Sequence, residues 1–233
     1  MKDSGYKFIS TDTNISIRYG IWPPGNKNRT GSAILLGGRG EFMEKYAETT
    51  EELNRRGYSV YSVDWRGQGL STRMLENRHK GYISKYEDYI NDLGIFIRNI
   101  VKPEAVSPII LLAHSMGAHI ALRYIHDHPG VIERAVLTAP MIDILTTPSL
   151  RSPAEFIARI LTRTGMGHVY TIGSGDYSPS RVKFEGNRLT SDPERFMDAP
   201  AAIAGNPDLA IGGVTYGWLS ATFDSIAILK KPG

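Results

Sequence analysis

Ser115 lies in the stretch Ile109–Gly117, I-I-L-L-A-H-S-M-G, where four apolar residues run into a small one and then into His114, Ser115, Met116 and Gly117. Helix-compatible sequence, Ala118–His126, follows. A buried strand, a sharp turn carrying a serine and a helix together hold a serine in a strained bend, its hydroxyl exposed at the top of a parallel sheet. Small residues two before and two after the serine let strand and helix pass closely. Gly117 meets this need, and Ala113 stands with its single methyl where a glycine is usual. A small-x-Ser-x-Gly match arises by chance about 0.3 times in a chain of this composition, so the surrounding elements must carry the inference.

A neutral hydroxyl is a poor nucleophile and needs an adjacent base, and the oxyanion formed on attack needs preorganised donors. One donor in such a bend is the backbone N–H of the next residue, Met116. The other comes from the loop after an earlier strand, where Gly37-Gly38-Arg39-Gly40 follows the short apolar strand Ala33–Leu36. Its glycines let the backbone turn its amides inward, and the Arg39 N–H is the expected second donor. Asp64-Trp65-Arg66-Gly67-Gln68-Gly69-Leu70-Ser71 reads as a tight turn in which Asp64 holds backbone N–H groups and Gly67 and Gly69 permit the bend. Of the histidines at 79, 114, 119, 126, 128 and 168, His114 precedes the serine and points elsewhere. His119 reads as packed or solvated, and His126 and His128 suit a helix C-terminus. His126 and His128 fall on different faces of a helix, which argues against a shared metal. Gly38-x-Gly40 lacks the third glycine of a dinucleotide fingerprint, position 43 being Met, and no Gly-Lys-Ser/Thr loop is present. No cofactor and no metal are expected.

These groups need a scaffold. Tyr6–Ser10 and Ser16–Trp22 alternate like a strand pair around Thr11-Asp12-Thr13-Asn14. Strands at Ala33–Leu36, Tyr58–Val63, Ile109–His114 and Glu133–Thr138 alternate with helices at Tyr46–Arg56, Tyr86–Val101 and the segment after Ser115. The pattern predicts an α/β fold: a mostly parallel sheet with helices on both faces after an N-terminal antiparallel hairpin. From about Met141 the rhythm changes. Ser152-Pro153-Ala154-Glu155 and Ser191-Asp192-Pro193-Glu194 read as helix starts around a Gly/Ser/Tyr-rich loop, Gly165–Ser180. Residues 141–213 are read as an inserted helical cap, and 1–140 with 214–233 as the core, with an apolar helix at Val214–Leu229.

At 233 residues and 41% hydrophobic content this is a single large domain, or one domain with an inserted lobe. No apolar run approaches the ~18 residues that span a bilayer, and Met1-Lys2-Asp3-Ser4-Gly5 opens no signal peptide. With no cysteine, disulfides and thiolate chemistry are excluded and a reducing cytoplasm is compatible. The net charge of +3 is scattered, Asn26-Lys27-Asn28-Arg29 reading as a solvated turn. No basic stripe with interleaved aromatics points to nucleic acid. Weak attraction to anionic lipid is compatible with the charge.

Leu36-Gly37-Gly38-Arg39-Gly40-Glu41, Asp64–Ser71, Ala113–Gly117, Leu137-Thr138-Ala139-Pro140 and Tyr216-Gly217-Trp218-Leu219 occur in an order that resembles the α/β-hydrolase lysophospholipase and monoacylglycerol lipase group. Gly37 departs from the histidine often found there. The resemblance implies an α/β-hydrolase fold and hydrolysis of a lipid carboxylic ester through an acyl-serine. It also implies Ser115 as nucleophile, the Met116 and Arg39 N–H groups as oxyanion hole, and a cap shaping an acyl-chain pocket. The cysteine-free composition and weak basic excess make a cytoplasmic enzyme with peripheral membrane contact the expectation. In this fold acid and histidine follow the serine on later strands. No histidine follows His168, so the expectation is a C-terminally truncated chain lacking its last strands, acid and base, weakly active at most, and prone to self-association. Asp143 is the alternative acid. A non-catalytic lipid-binding protein, and a peptidase or acyltransferase on the same scaffold, are the competing readings.

Overall fold

A computed structural model describes residues 6–25, 29–144, 148–187 and 189–231. Most of the expected turn Asn26–Arg29, the first five residues read for a leader, and the last two residues of the chain lie outside them. Alternating polar and apolar residues form β1 (Lys7–Asp12) and β2 (Ile15–Trp22), with Asn14 at φ 60° in the turn between them. Short apolar runs give β3 (Gly31–Leu36), β4 (Tyr58–Val63), β5 (Ile109–His114) and β6 (Arg134–Thr138). They build a six-stranded sheet in the order β1-β2-β4-β3-β5-β6. The first two pairings, β1 with β2 and β2 with β4, are antiparallel, and the rest are parallel.

This sheet sets where chemistry can occur. Register places Leu36 beside both Val63 and Ala113, and Ala113 beside Leu137, so four parallel strands finish at one level. The chain leaves β3 for β4 on one side and returns to β5 on the other. Loops after β3 and β5 therefore diverge, and a crevice opens between them at the carboxyl ends.

Two cores fix the strands. Ala33, Leu35 and Val60 pack with Trp22 and Met43 beneath α1 (Ala47–Arg55). Ile34, Leu36, Val63, Leu111 and Ala113 pack on the opposite face with α2 (Glu87–Phe96), α3 (Ser115–Asp127) and α6 (Tyr216–Leu229). α2 runs on into a wider π-type turn, Ile97–Val101. α3 is helical from Ser115 itself, three residues before the stretch read as helix.

The region after β6 holds α4 (Pro148–Arg163) and α5 (Pro193–Gly205). The start expected at Ser152 is one turn late: α4 begins at Pro148, with Pro153 inside it. A proline so near the N-terminus removes one early hydrogen bond and leaves the later turns intact. α5 starts at its signal, Asp192 Oδ1 accepting the N–H groups of Glu194 at 2.9 Å and Arg195 at 3.2 Å. Thr215 caps α6 through the Trp218 N–H at 3.3 Å. Parallel bridging of Gly81 with Val214 and antiparallel bridging of Tyr170 with Thr215 tie this region to the core. Among the described residues β6 is an edge strand paired only with β5, and its Val136 is 55% exposed.

Leu111→Ala, at a fully buried position of β5, is expected to lower unfolding free energy by about 2–5 kcal/mol. Val136→Ala on the exposed edge should cost under about 1 kcal/mol. Denaturant titration of both variants measures the contrast.

Candidate active site

β5 ends at His114 and α3 begins at Ser115, with no residue between. The chain makes this transition by placing Ser115 at φ 50°, in the left-handed region that L-residues avoid. Gly117 makes the bend possible: a methyl group there would sit 2.4 Å from the Gly37 carbonyl oxygen and 2.9 Å from that of Leu36. Helix α3 thus starts against the end of β3, and the serine stands beside the β3 loop. Ser115 is partly exposed, and among the described residues its hydroxyl has no hydrogen-bond partner. A methyl on Gly38 would lie 3.2 Å from Ser115 Cβ, so the glycine loop borders the serine directly.

That loop has its amides allotted. The Gly38 N–H donates to Glu41 Oε2 at 2.5 Å, and the Gly40 N–H to Gln68 Oε1 at 2.5 Å. The Arg39 N–H between them has no acceptor among the described residues, and neither does the Met116 N–H in the first turn of α3. Two donors therefore remain unused where the loops after β3 and β5 meet. Trp65 Nε1 donates to the Gly37 carbonyl at 2.8 Å, and Gln68 Nε2 lies 3.8 Å from Met116 Sδ. The turn after β4 thus grips both sides of the crevice.

Asp64 holds that turn. Its carboxylate accepts from Arg18 Nε at 2.7 Å, the Leu70 N–H at 2.9 Å and the Met43 N–H at 3.1 Å. Burial pushes its pKa up to about 6, opposed by Arg18 and the amides, which leaves it ionised at neutral pH. Gly67 and Gly69 turn at φ 77° and 52°. Asp64 is thus spent on backbone and Arg18.

Glu41 is the second buried hub. It accepts from the Gly38 N–H, from Tyr46 Oη at 2.5 Å, from Lys45, and from His114 Nδ1 at 3.2 Å. Burial alone would raise its pKa, but the bonds from His114, Lys45 and Tyr46 outweigh it and hold the carboxyl at about 2. His114 therefore faces Glu41 under the loop. The other histidines are also engaged: His79 with the Tyr177 N–H, His119 with Met141 and Ser225, His126 with Asp127, His128 with the Tyr124 carbonyl and His168 with that of Gly165. Asp143 is bound to Lys230, Arg151 and the Ile144 N–H, and the Lys230 contact foremost holds its carboxyl at about 2.

A cavity of about 440 Å³ lies between α1 and α5. Tyr46, Val182, Leu189, Phe196, Ile203 and Ile211 make it largely apolar, and Arg39 and Gly40 form part of its wall, whereas Ser115 does not. Glu41, Trp65 and Gln68 are the site residues that sequence reasoning passed over. Glu41 carries a local signal, an acid three residues beyond an amide it caps, as in a capping box. Trp65 and Gln68 act across the sheet and carry none. Among the described residues no group of three or more His, Asp and Glu side chains could hold a metal ion, and no helix is long and apolar enough to cross a membrane.

Residues 27–232 match the family described as serine aminopeptidase, S33. Lysophospholipase L2 of Escherichia coli K12 is 35% identical over 191 residues, 80% of this chain and 54% of that protein. Probable lysophospholipase L2 of Haemophilus influenzae is 32% identical over 198 residues, 85% of this chain and 61% of that protein. The chain thus spans little more than half the length of either. The crystal structure of a soluble variant of monoglyceride lipase from Saccharomyces cerevisiae superposes with a TM-score of 0.69 at 21% identity, covering 97% of this chain and 69% of the other.

A group whose folded pKa is depressed stabilises the fold above its unfolded pKa and loses that effect as pH falls through the folded value. Glu41 should therefore contribute an acid-labile component between about pH 4.5 and 2. Glu41→Gln is expected to cost roughly 2 kcal/mol at pH 7 and to flatten that limb, read by denaturant titration against pH. Gly117→Ala should cost about 1–3 kcal/mol or prevent folding, read by its thermal midpoint.

Proposed function

The chain belongs to the serine aminopeptidase S33 family of α/β-hydrolases, and from that premise we propose that it hydrolyses carboxylic esters of lipids through an acyl-serine intermediate. The observation that carries this reading is the strained, accessible Ser115 beside two unused amide donors. In the proposed reaction Ser115 Oγ attacks the ester carbonyl carbon, its proton passes to solvent water, and the carbonyl oxygen becomes an oxyanion accepting from the Met116 and Arg39 N–H groups. Collapse expels the alcohol and leaves the acyl-serine, which water then hydrolyses. The apolar cavity walled by Arg39 and Gly40 suits an acyl chain, and the region 141–213, as a cap, supplies α5 as one side of it. The names of the two bacterial relatives favour a lysophospholipid, and that of the yeast structure a monoacylglycerol.

No described histidine or carboxylate is bonded to the Ser115 hydroxyl. In this reading the 233-residue chain turns over slowly, through the donors and binding alone. The exposed Phe156, Ile157 and Ile160 on α4 support peripheral contact with a lipid surface, and the exposed edge of β6 supports self-association. Peptide hydrolysis is the second reading, favoured by the description of the family and sharing the same acyl-serine step.

A fluorophosphonate is expected to label the protein at Ser115 slowly, at the rate the amide donors and binding support, and Ser115→Ala to abolish labelling; label that survives in the variant overturns the assignment. Release of fatty acid from monoacylglycerol and lysophosphatidylcholine, without release of p-nitroaniline from aminoacyl anilides, separates the ester reading from the peptide one. Fatty-acid binding without label would indicate a non-catalytic lipid-binding protein.

A further inference from the structure

His119 is fully buried one helical turn beyond Ser115, and its ring joins two segments that the serine turn depends on. Nδ1 lies 2.8 Å from the Met141 carbonyl oxygen and Nε2 lies 2.6 Å from Ser225 Oγ on α6. A carbonyl only accepts, so Nδ1 carries the proton. Nε2 is then the acceptor, and Ser225 must donate its hydroxyl hydrogen to it. Ser225 Oγ in turn accepts from Arg123 Nη1 at 3.0 Å, and Arg123 Nη2 is held by Glu87 Oε1 of α2 at 2.9 Å. Every donor in the series points one way: Arg123 to Ser225, Ser225 to His119, His119 to Met141.

The series ends on the nucleophile. The Met141 N–H donates to the Ser115 carbonyl oxygen at 3.1 Å. That carbonyl and the Met116 N–H belong to one planar trans peptide and point in opposite directions. Fixing the oxygen on Met141 therefore aims the amide at the far side, where the oxyanion would form. The segment bringing Met141 into place is itself strained, Ala139 lying at φ 43°. A left-handed residue thus lies in each of the two segments this hydrogen bond joins, Ser115 at the bond itself and Ala139 two residues before Met141, and such strain persists only where neighbours over-determine it.

We propose that His119 is a positioning residue: through Met141 it orients the Ser115–Met116 peptide, and with it the amide donor of the oxyanion hole. This rests on the reading of Ser115 as the nucleophile. The ring need not change charge to act. Burial draws its pKa down to about 4, the bond to Met141 opposing and Arg123 reinforcing the shift. The groups facing it are the ring of Tyr86, the residue before α2, edge-on at 5.1 Å, Ser225 of α6 and Arg123 of α3.

Asparagine places its amide nitrogen where Nδ1 lies, and glutamine places its own where Nε2 lies. His119→Asn should keep the bond to Met141, and His119→Gln and His119→Leu should lose it. The test follows fluorophosphonate labelling of Ser115 well below each variant's unfolding midpoint, separating the maximal inactivation rate from the inhibitor's binding constant. The maximal rate should fall roughly tenfold or more in the Gln and Leu variants at unchanged binding, and stay within about threefold in the Asn variant. Ser225→Ala, a milder change, should fall between, and the Met141 amide should exchange faster in the Leu and Ala variants. Equal maximal rates in all variants, whatever their stabilities, would overturn the inference. Failure of the wild-type protein to label would overturn the nucleophile reading and the inference with it.

Discussion

Holding a side-chain-bearing residue in the left-handed region costs on the order of 1–2 kcal/mol, and Ser115 is held there by a junction that leaves it no alternative. β5 is locked in register between β3 and β6, and α3 is locked by its buried face, so the single residue joining them absorbs the whole change of direction. Gly117 then determines how close the helix comes to β3. Without that approach the serine and the glycine loop would not share a crevice, and the amides of Arg39 and Met116 would face different solvent. The geometry is a consequence of sheet topology before it is a property of any catalytic side chain.

Around this junction the buried charges do structural service. Glu41 fixes the loop after β3 from below, Asp64 fixes the turn after β4, and that turn returns Trp65 and Gln68 to the glycine loop. Each buried carboxylate is paired with a cation and also accepts backbone amides, the condition under which a buried charge avoids a large desolvation penalty. Loops lacking regular structure thereby become as fixed as the strands they follow. A preorganised pair of amides requires this, since donors that must reorganise during reaction lose most of their effect.

How much of this could be read in the sequence follows from the range of each interaction. The strand, bend and helix around Ser115, the glycine loop and the cap of α5 are local, written in residues within a few positions of one another. The alternation of strands and helices gave the mostly parallel sheet, because burial on both faces leaves continuous apolar runs. The α4 boundary was misplaced because Ser152-Pro153 is a valid start signal, and the choice of an earlier start at Pro148 is not encoded in that signal. His119 reads from the sequence only as packed or solvated. Its partners Met141 and Ser225 lie 22 and 106 positions away, and only the fold brings them together.

The region after β6 is held unevenly, which decides which wall of the cavity can move. Near its C-terminal end, arginines of the core grip successive carbonyls: Arg73 Nη2 that of Asp208 at 2.7 Å, and Arg39 Nη2 that of Gly212 at 2.6 Å. The Gly212 N–H adds a bond to the His79 carbonyl at 2.7 Å. Burial lowers the pKa of both arginines, and a guanidinium stays charged in proteins, so these are charge-assisted bonds. At the other side of the cavity, α5 meets α1 through the ion pair of Arg195 with Glu48 at 2.7 Å, with both side chains more than half exposed. Such a pair contributes about 0–1 kcal/mol. The strap beside the glycine loop is therefore the fixed wall of the cavity. The α5 side is the wall that yields at least cost, and it is the one that can part while the amides at Arg39 and Met116 stay in place.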